Sequence, residues 1–443
     1  PLSHLIPGVG VVAARLAGID DVLGMRLLVL VLSAVTVWLA YLLARDTLGS
    51  RLEGAVAATA LLTFQGFVVL AAGGPRDKPI MVMLLTWSLL AVVRRQWASA
   101  GVLVALTTLT WQPAFPVGAL VAAVGMASLG RRALVAPLVR FTVGGLVPTV
   151  LCVLGFWLAG ALPTFIDAFL VIPLRYTVQT GLVEFLGTNG DALVEGYGPA
   201  VWAMLAGMVA LAVAASRQLV RNLRGGRAGH EMVMMGAGLL AGLLVSMRGF
   251  NGWPDAFVLL PFASLGLAVI VHALRSALPR TGRVVGVGVV GISLAAGGMV
   301  SVTSSSEGLP LQRASVRAVL TTLGPDASVL SVEAPQVLVL SGRTSSTRYQ
   351  MFAGGMSNYI DHHYPGGTDG YARWVEAEEP TVIAVHTNGD FEWLADILER
   401  DYVAVGTAPG WTWFVDRTVG NATLDQVRRA QERAQERARR NRR

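Results

Sequence analysis

The chain has 443 residues, of which 53% are hydrophobic and 14% are charged, and its mean hydropathy is +0.58. Because a water-soluble chain carries roughly 25% charged residues, this composition excludes a soluble globular protein and indicates a polytopic α-helical membrane protein. The net charge of +7 is interpreted as a topology signal, since Arg accumulates in cytoplasmic loops. We therefore expect no nucleic-acid partner.

The first 24 residues are predicted to form a juxtamembrane segment on the outer side of the membrane. They contain a short amphipathic stretch that ends at Gly18 and is too interrupted for a span. The sequence starts with Pro1 and shows neither an initiator Met nor a signal peptide with a basic front. We expect from this that the chain is truncated at its N-terminus.

Apolar runs long enough to cross a hydrocarbon core of about 30 Å begin at residue 25. The region 97–128 is interrupted at Trp111 and Pro113, and because Pro breaks a helix hydrogen-bond ladder, it is predicted to form two short spans with a tight turn. With these two, ten crossings are predicted. The other eight runs are 25–44, 54–72, 79–93, 133–158, 199–215, 231–247, 254–274 and 283–302.

Arginines mark every second connection between these runs, as expected if those connections are cytoplasmic. The intervening connections are richer in Gly, Pro and aromatic residues and are predicted to lie outside: 73–78, 112–116, 159–198 and 248–254. The arginines of the inner connections are Arg45, Arg51, Arg94, Arg95, Arg131, Arg132, Arg217, Arg221, Arg224, Arg227, Arg275, Arg280 and Arg283. The charge pattern and the count of runs agree on the topology.

The composition changes after the transmembrane domain, which is predicted over 25–302. Residues 303–420 have the pattern of a small extracytoplasmic α/β domain, with alternating helix and strand signals. The predicted helices are 312–323, 371–379 and 391–400, and the predicted strands are 327–333, 381–386, 402–407 and 411–416. The basic tail 421–443 is interpreted either as a solvated polar helix or arm, or as a segment that contacts anionic lipid headgroups.

Charged residues at the outer ends of spans are the best candidates for a site, because each is costly in a membrane protein unless it has a function or a partner. Arg76, Asp77 and Lys78 lie in a short outer connection. Asp77 has the chemistry of a general base or a metal ligand, and its cationic neighbours have that of a phosphate site. The alternative is a charged helix start, which Asp followed closely by Pro also fits.

A second outer cluster consists of Arg248, Asn251, Trp253 and Asp255. It is a candidate substrate site. The alternative is an ordinary aromatic belt at the membrane–water interface, with Trp253 in the belt and the Arg248 side chain extended toward the headgroups.

The long outer segment 159–198 and the N-terminal segment add further candidates. Arg175 and Tyr176 lie in 159–198, and loops of this length are usually functional or mobile. His4 is predicted on the same side of the membrane. These candidates are interpreted as substrate-binding residues.

Several motifs are absent from the sequence: a phosphate-binding Gly-Lys-Ser/Thr loop, a His-Glu-x-x-His helix, paired cysteines and a Gly-x-Ser-x-Gly turn. The inner loops are also only a few residues long. Any activated donor is therefore expected to reach the outer face already linked to a lipid. No cofactor is certain from the sequence, and a divalent metal stays open.

Several weak segments together resemble the GT-C superfamily of integral-membrane glycosyltransferases, especially the family 39 branch with its protein O-mannosyltransferases and aminoarabinose transferases. Their order and spacing carry the resemblance more than any single motif. The segments are Pro1-Leu2, Leu23-Gly24-Met25-Arg26-Leu27, Tyr41-Leu42-Leu43-Ala44-Arg45, Arg76-Asp77-Lys78-Pro79, 100–113 with Trp111 where a Lys is common, 251–261 with Asp255 near the usual His, Ser341-Gly342-Arg343 and Trp413-Phe414-Val415-Asp416-Arg417.

The resemblance implies transfer of a hexose, such as mannose, from a polyprenyl-phosphate donor to a glycan, lipid or protein acceptor at the outer face of a bacterial plasma membrane. In that reaction a carboxylate takes the acceptor proton and cations stabilise the departing phosphate. Asp77 is assigned to the base or to acceptor positioning, and Arg76, Lys78 and Arg248 to the phosphate. The family's own catalytic Asp precedes the motif at Pro1, and Asp20 and Asp21 lie too far along the chain to replace it.

Two alternatives stay open. One is a transporter or flippase for a lipid-linked sugar, although such proteins usually show internal repeats and charged, broken helices at mid-membrane. The other is a catalytically inactive GT-C paralogue.

Overall fold

The computed structural model describes residues 2–74, 76–176, 182–225, 229–248, 252–304 and 308–440, without the side chains of His4, Arg131, 182–189 and Arg439. These residues form two compact units. The helical unit comprises Pro1–Phe169 and Gln179–Ser304, and the C-terminal unit comprises Leu170–Val178 and Ser305–Arg443.

The helical unit contains fourteen α-helices within the described residues. They are α1 (Leu2–Leu16), α2 (Asp21–Leu48), α3 (Arg51–Thr63), α4 (Gln65–Gly73), α5 (Asp77–Val93), α6 (Trp97–Thr110), α7 (Phe115–Ala127), α8 (Val135–Leu158), α9 (Leu162–Ile166), α10 (Leu182–Tyr197), α11 (Ala200–Leu223), α12 (Glu231–Arg248), α13 (Leu260–Ala277) and α14 (Pro279–Thr303). Short 3₁₀ helices cover Gln112–Ala114, Arg131–Ala133 and Trp253–Leu259.

Six helices in the described part of the chain are long and apolar enough to cross a membrane, or seven if one bent pair is a single span. Shorter apolar helices such as Trp97–Thr110 and Gln112–Ala127 accompany them. The break predicted near Trp111 is present between α6 and α7. The total of ten crossings stays a prediction.

The predicted span 54–72 differs from the structure, because it is divided at Phe64 into α3 and α4, which meet at a bend of 71°. Phe64 has an extended backbone and a fully buried ring, whose centroid lies 6.3 Å from that of Tyr197. The bend brings Gly66 against the ring of Trp253, where a Cβ atom would lie 2.4 Å from the nearest ring carbon. Tertiary packing thus explains the break between α3 and α4, which the apolar sequence does not predict.

Close helix contacts in the helical unit depend on glycine. A Cβ atom at Gly266 of α13 would lie 1.7 Å from the carbonyl oxygen of Gly207 in α11. On α8, by contrast, apolar side chains such as Leu151, Trp157 and Leu158 are 61–72% exposed. Small residues at helix crossings and exposed apolar belts are typical of helices that pack within a bilayer.

Ion pairs join the ends of helices that the charge pattern predicts on the inner side. Asp46, near the end of α2, pairs with Arg94, which follows α5, at 2.8 Å. Glu53 in the first turn of α3 is fully buried and pairs with Arg275 in the last turn of α13, also at 2.8 Å. Two of the arginines predicted to be cytoplasmic, Arg94 and Arg275, therefore link the ends of different helices.

The C-terminal unit contains a four-stranded sheet in the order β1-β2-β4-β3. Strands β1 and β2 are parallel, and the other two pairs are antiparallel. The strands are β1 (Val329–Val332), β2 (Val382–His386), β3 (Tyr402–Ala408) and β4 (Trp411–Asp416), and the helices are α15 (Gly308–Leu323), α16 (Gln336–Ser341), α17 (Met356–His363), α18 (Gly367–Glu378), α19 (Glu392–Asp401) and α20 (Asn421–Arg440).

The alternation in β4 explains its place in this sheet, since Trp411, Trp413 and Val415 are buried while the residues between them are not. Each predicted helix and strand of this part of the chain has a counterpart in the structure, whereas α16 and α17 were not predicted. The basic tail forms helix α20 over most of its length.

Candidate functional site

Lys78 is the centre of the candidate site. It lies in the first turn of α5 and is only 6% exposed. Its Nζ atom is 2.7 Å from Oδ1 of Asp255 and 3.2 Å from Oδ2 of Asp77. Because a buried ammonium group needs charge partners, these two carboxylates account for its position inside the protein.

The local sequence explains how Asp77 and Lys78 come to begin a helix. Arg76, not Asp77, is the N-cap residue, and its side chain makes no cap hydrogen bond. Asp77 is the first helical residue, where a carboxylate is favoured by the helix dipole, and Pro79 is tolerated because the first turn has unpaired N–H groups. The charged helix start and the charged cluster are therefore the same feature.

Asp255 reaches Lys78 from the short 3₁₀ helix Trp253–Leu259. This helix starts after Gly252, whose φ of +126° disfavours any residue with a side chain. The backbone N–H of Asp255 donates to the carbonyl of Gly252 at 3.0 Å, so the turn holds the residue in place. Asp255 itself is 7% exposed.

The aromatic ring of Trp111 completes the surroundings of Lys78. The Nζ atom lies 3.7 Å from the ring centroid, which is a cation–π contact. Trp111 has an extended backbone between α6 and the 3₁₀ helix Gln112–Ala114. The interruption of this span therefore places the ring beside Lys78. The sequence predicted the interruption but did not assign Trp111 to the site.

The two carboxylates differ in their access to solvent. The side chain of Asp77 is 33% exposed, whereas that of Asp255 is 10% exposed. Asp77 is thus the carboxylate that a substrate can approach, and Asp255 is the one that holds Lys78 from inside. The sequence did not reveal this difference, because both residues are Asp near helix starts.

Trp253 was predicted to bind substrate, and the structure places its ring in a packed position. The hydroxyl of Tyr197 donates to the carbonyl of Trp253 at 3.1 Å. A Cβ atom at Gly196 would lie 2.2 Å from the indole, and one at Gly66 2.4 Å from it. These contacts support the 3₁₀ helix that bears Asp255, and substrate binding by Trp253 stays a prediction.

Three arginines of the helical unit lie on or beside the elements of this site. Arg76 adjoins Asp77 and is exposed, and Arg248 is exposed at the end of α12, which packs against the 3₁₀ helix of Asp255. Arg26 near the start of α2 was not assigned to the site. Its Nε atom is buried without a hydrogen-bond partner among the described residues, and its side chain lies beside Gly74 in the connection before α5.

A sequence signal for Arg26 did exist. It is an arginine near the predicted outer end of a span, where the charge pattern otherwise places few cations. Such a residue calls for a partner or a function.

The remaining candidates fall in three places. Arg175 and Tyr176 belong to the C-terminal unit, in the π-helical segment Asp167–Tyr176. Tyr176 packs there against the rings of Tyr359, His362 and His363. His4 lies in α1, which contacts α5, but its side chain is outside the described atoms, and Asn251 is outside the described residues.

Asp20 and Asp21 have structural contacts of their own. The carboxylate of Asp20 accepts a hydrogen bond from the backbone N–H of Leu23 and caps α2. Asp21 pairs with Arg15 at 2.8 Å. That neither residue replaces the catalytic Asp of the resembled family stays a prediction.

Among the side chains that the structure describes, no group of three or more His, Cys, Asp or Glu residues is arranged to hold a metal ion. The Lys78 site offers a buried cation, an accessible carboxylate and a second carboxylate that fixes the cation. Such a set suits an anionic ligand next to a group that loses a proton.

The fold is similar to that of a solved membrane-protein structure. The chain is similar to the crystal structure of ArnT from Cupriavidus metallidurans in the apo state, with a TM-score of 0.61 and 13% sequence identity over 94% of this chain and 87% of that one. The same protein bound to undecaprenyl phosphate gives a TM-score of 0.59, with the same identity and coverage.

With its apolar helices, this likeness identifies the chain as a multi-pass membrane protein. No family model matches the sequence. No curated protein matches it either.

Proposed function

We propose that this chain is a glycosyltransferase that moves a sugar from a polyprenyl-phosphate-linked donor to an acceptor at the outer face of the membrane. The observation that carries the proposal is the buried Lys78, held by two carboxylates and an aromatic ring in the helical unit. The fold supports it, because one of the similar ArnT structures contains undecaprenyl phosphate.

Lys78 stabilises the leaving group in this proposal. As the bond between the sugar C1 and the phosphate oxygen breaks, the electron pair moves to that oxygen and polyprenyl phosphate departs with added negative charge. A preorganised cation in a site with little water lowers the energy of that charge more than it would in bulk water. The contacts with Asp255 and Trp111 keep the ammonium group in one place before the donor binds.

Asp77 takes the proton of the acceptor hydroxyl while the acceptor oxygen forms the new bond to C1. It is the more accessible carboxylate of the pair. Its Oδ2 atom lies 3.2 Å from Nζ of Lys78, the cation that binds the phosphate in this proposal. Attack from the face opposite the phosphate inverts the configuration at C1. Asp255 acts through Lys78 and is a positioning residue.

Arg26, Arg76 and Arg248 supply further positive charge for the phosphate of the donor. Guanidinium groups bind phosphate oxygens in pairs, which adds orientation to charge. Together with Lys78 they offset the two carboxylates and leave a net positive site. We propose that the C-terminal unit is extracytoplasmic and takes part in acceptor binding.

The test is a transfer assay with the purified full chain in proteoliposomes that contain polyprenyl-phosphate sugars. The release of polyprenyl phosphate is measured, because that product is common to every sugar and acceptor. We expect Lys78→Met to lower the rate roughly 10²–10³-fold, the usual cost of removing one charge-stabilising group, and Asp77→Asn to lower it by a similar factor. Asp21→Asn, at another carboxylate of the helical unit, is the matched control and keeps the rate.

Two outcomes contradict the proposal. If the wild-type chain moves the lipid-linked sugar across the bilayer without releasing polyprenyl phosphate, it is a transporter. If it binds polyprenyl phosphate but releases no product with any donor, it is an inactive paralogue.

A further inference from the structure

Two helices of the C-terminal unit enclose a groove of about 620 Å³. One wall is α15 and the other is α20. Arg317 and Thr321 line the first wall, and Arg433 and Arg437 line the second. Alanines occupy most of the remaining lining positions, so the guanidinium groups are the largest side chains of the groove.

Helix α20 is fixed to its unit by buried contacts. Leu424 and Val427 are buried, and the side-chain amide of Gln431 donates to the carbonyl of Thr407 at 2.9 Å. The facing helix is held by a hydrogen bond of 2.8 Å from the indole of Trp413 to the hydroxyl of Ser315. The positions of the three arginines are therefore set by a packed scaffold.

Within the part of the chain that the structure describes, the three arginines have no acidic partner. None of Arg317, Arg433 and Arg437 forms an ion pair with a residue that the structure describes, and all three are exposed. Arg433 donates from Nε to the carbonyl of Arg429, which leaves its terminal nitrogens available. Three uncompensated positive charges along one groove repel each other, and an anion between them relieves that repulsion.

The chemistry of the lining selects a phosphate group. Guanidinium groups donate two parallel hydrogen bonds to phosphate oxygens. Arg433 and Arg437 are one helical turn apart, with Cβ atoms about 6 Å from each other, so both can bind the same phosphate or adjacent phosphates. The hydroxyl of Thr321 adds a neutral donor on the opposite wall.

The connection of the chain to the membrane indicates where such a phosphate comes from. Helix α14, which is apolar enough to cross a membrane, ends at Thr303, and α15 begins at Gly308. Residues 421–443 contain eight Arg against three Asp and Glu. Arg317 lies close in sequence to this span, and α20, which carries the other basic residues, packs against α15. Basic residues near the end of a span are attracted to anionic headgroups.

We propose that the groove between α15 and α20 binds the phosphate of an anionic phospholipid headgroup through Arg317, Arg433 and Arg437. The site is separate from the Lys78 cluster and does not depend on transfer activity. Its occupant is a lipid of the membrane and not the donor.

The test is hydrogen–deuterium exchange of the full chain in neutral detergent, titrated with short-chain phosphatidylglycerol. We expect the lipid to slow exchange of peptides from α15 and α20. The combined variant R317Q/R433Q/R437Q should raise the half-saturating concentration roughly 100-fold, because each arginine near an anionic headgroup contributes about fivefold. Faster exchange in the central strands β2 and β4 of the triple variant would show that its C-terminal unit is destabilised. In that case the single variant Arg437→Gln replaces it, and should raise the half-saturating concentration about fivefold.

The control is R373Q/R429Q/R440Q, which removes three exposed arginines of the same unit that do not line the groove. It should leave the half-saturating concentration nearly unchanged. An equal effect in this variant, or equal protection by short-chain phosphatidylcholine, would overturn the proposal. Protection by inorganic diphosphate at the same concentrations would also overturn it, in favour of a soluble phosphate ligand.

Discussion

Lys78 and Asp255 form an ion pair of 2.7 Å between Nζ and Oδ1, with both side chains at most 10% exposed. The pair joins the start of α5 to the 3₁₀ helix before α13, which are distant in sequence. Removing one member of a buried pair leaves an uncompensated charge, so the pair ties the assembly of these elements to the presence of the cation. The proposed anion site and a structural junction therefore coincide.

The first prediction separates Asp255 from Asp77. Asp255→Asn should destabilise the protein by about 3 kcal/mol, at the lower end for a broken buried pair, because Asp77 and Trp111 still contact Lys78. Asp77→Asn should cost about 1 kcal/mol, because Asp77 is partly exposed and Asp255 still pairs with Lys78. It should nevertheless lose more transfer activity than Asp255→Asn. Thermal unfolding in detergent and the release of polyprenyl phosphate are measured on both variants.

Asp255→Glu serves as the control for this prediction, since it keeps the charge and should recover part of the stability and activity. If Asp77→Asn proves the less stable variant and Asp255→Asn the less active one, the two roles are reversed.

The second prediction concerns the ring over Lys78. Trp111→Phe should keep a weaker cation–π contact, and Trp111→Leu should lose it at a cost of about 0.5–2 kcal/mol. We expect binding of polyprenyl phosphate to fall in the order Trp, Phe, Leu as Lys78 becomes less fixed, measured by titration in detergent. Equal affinity in the leucine variant and the wild type would show that the ring only fills space.

The sequence was sufficient for the class of fold because hydrophobic runs, Arg alternation and the α/β pattern are properties of the chain alone. It also identified Lys78, Asp77 and Asp255 as charges at the ends of spans. It could not show that Lys78 lies between the other two, since that contact depends on how α5 packs against the 3₁₀ helix. The sequence did not predict the bend at Phe64 for the same reason, because the bend depends on the packing of Gly66 against Trp253.

The third prediction tests the packing behind Asp255. A Cβ atom at Gly196 would lie 2.2 Å from the indole of Trp253, so Gly196→Ala should destabilise the protein by about 1–3 kcal/mol. Gly190→Ala in the same helix is the control, because nothing lies within 4 Å of its Cβ position. There alanine should be neutral or stabilise by about 0.5–1 kcal/mol.

Unfolding temperatures in detergent provide the measurement for this pair. Equal temperatures for the two alanine variants would show that the Trp253 ring is free to move away from α10.

The fourth prediction concerns alkaline pH and the C-terminal unit. Burial raises the pKa of Tyr371 to about 12, and its hydroxyl donates to the carbonyl of Tyr349 at 2.9 Å. The unfolded chain releases this proton near pH 10, whereas the folded unit retains it up to about 12. The contribution of this group to stability is therefore complete below pH 10 and is lost as the pH rises through this interval, by up to about 1.4 kcal/mol for each pH unit.

Tyr371→Phe removes this titration, so the variant should lose less stability than the wild type between pH 10 and 12. At neutral pH it should be less stable by about 1 kcal/mol, because the carbonyl of Tyr349 loses its donor. Unfolding of the full chain in detergent, followed by circular dichroism at a series of pH values, measures both effects. Tyr402→Phe is the comparison, since burial also raises the pKa of Tyr402, whose hydroxyl donates to the carbonyl of Pro380. Identical alkaline slopes for wild type and Tyr371→Phe would mean that the unit opens around Tyr371 before the phenol ionises.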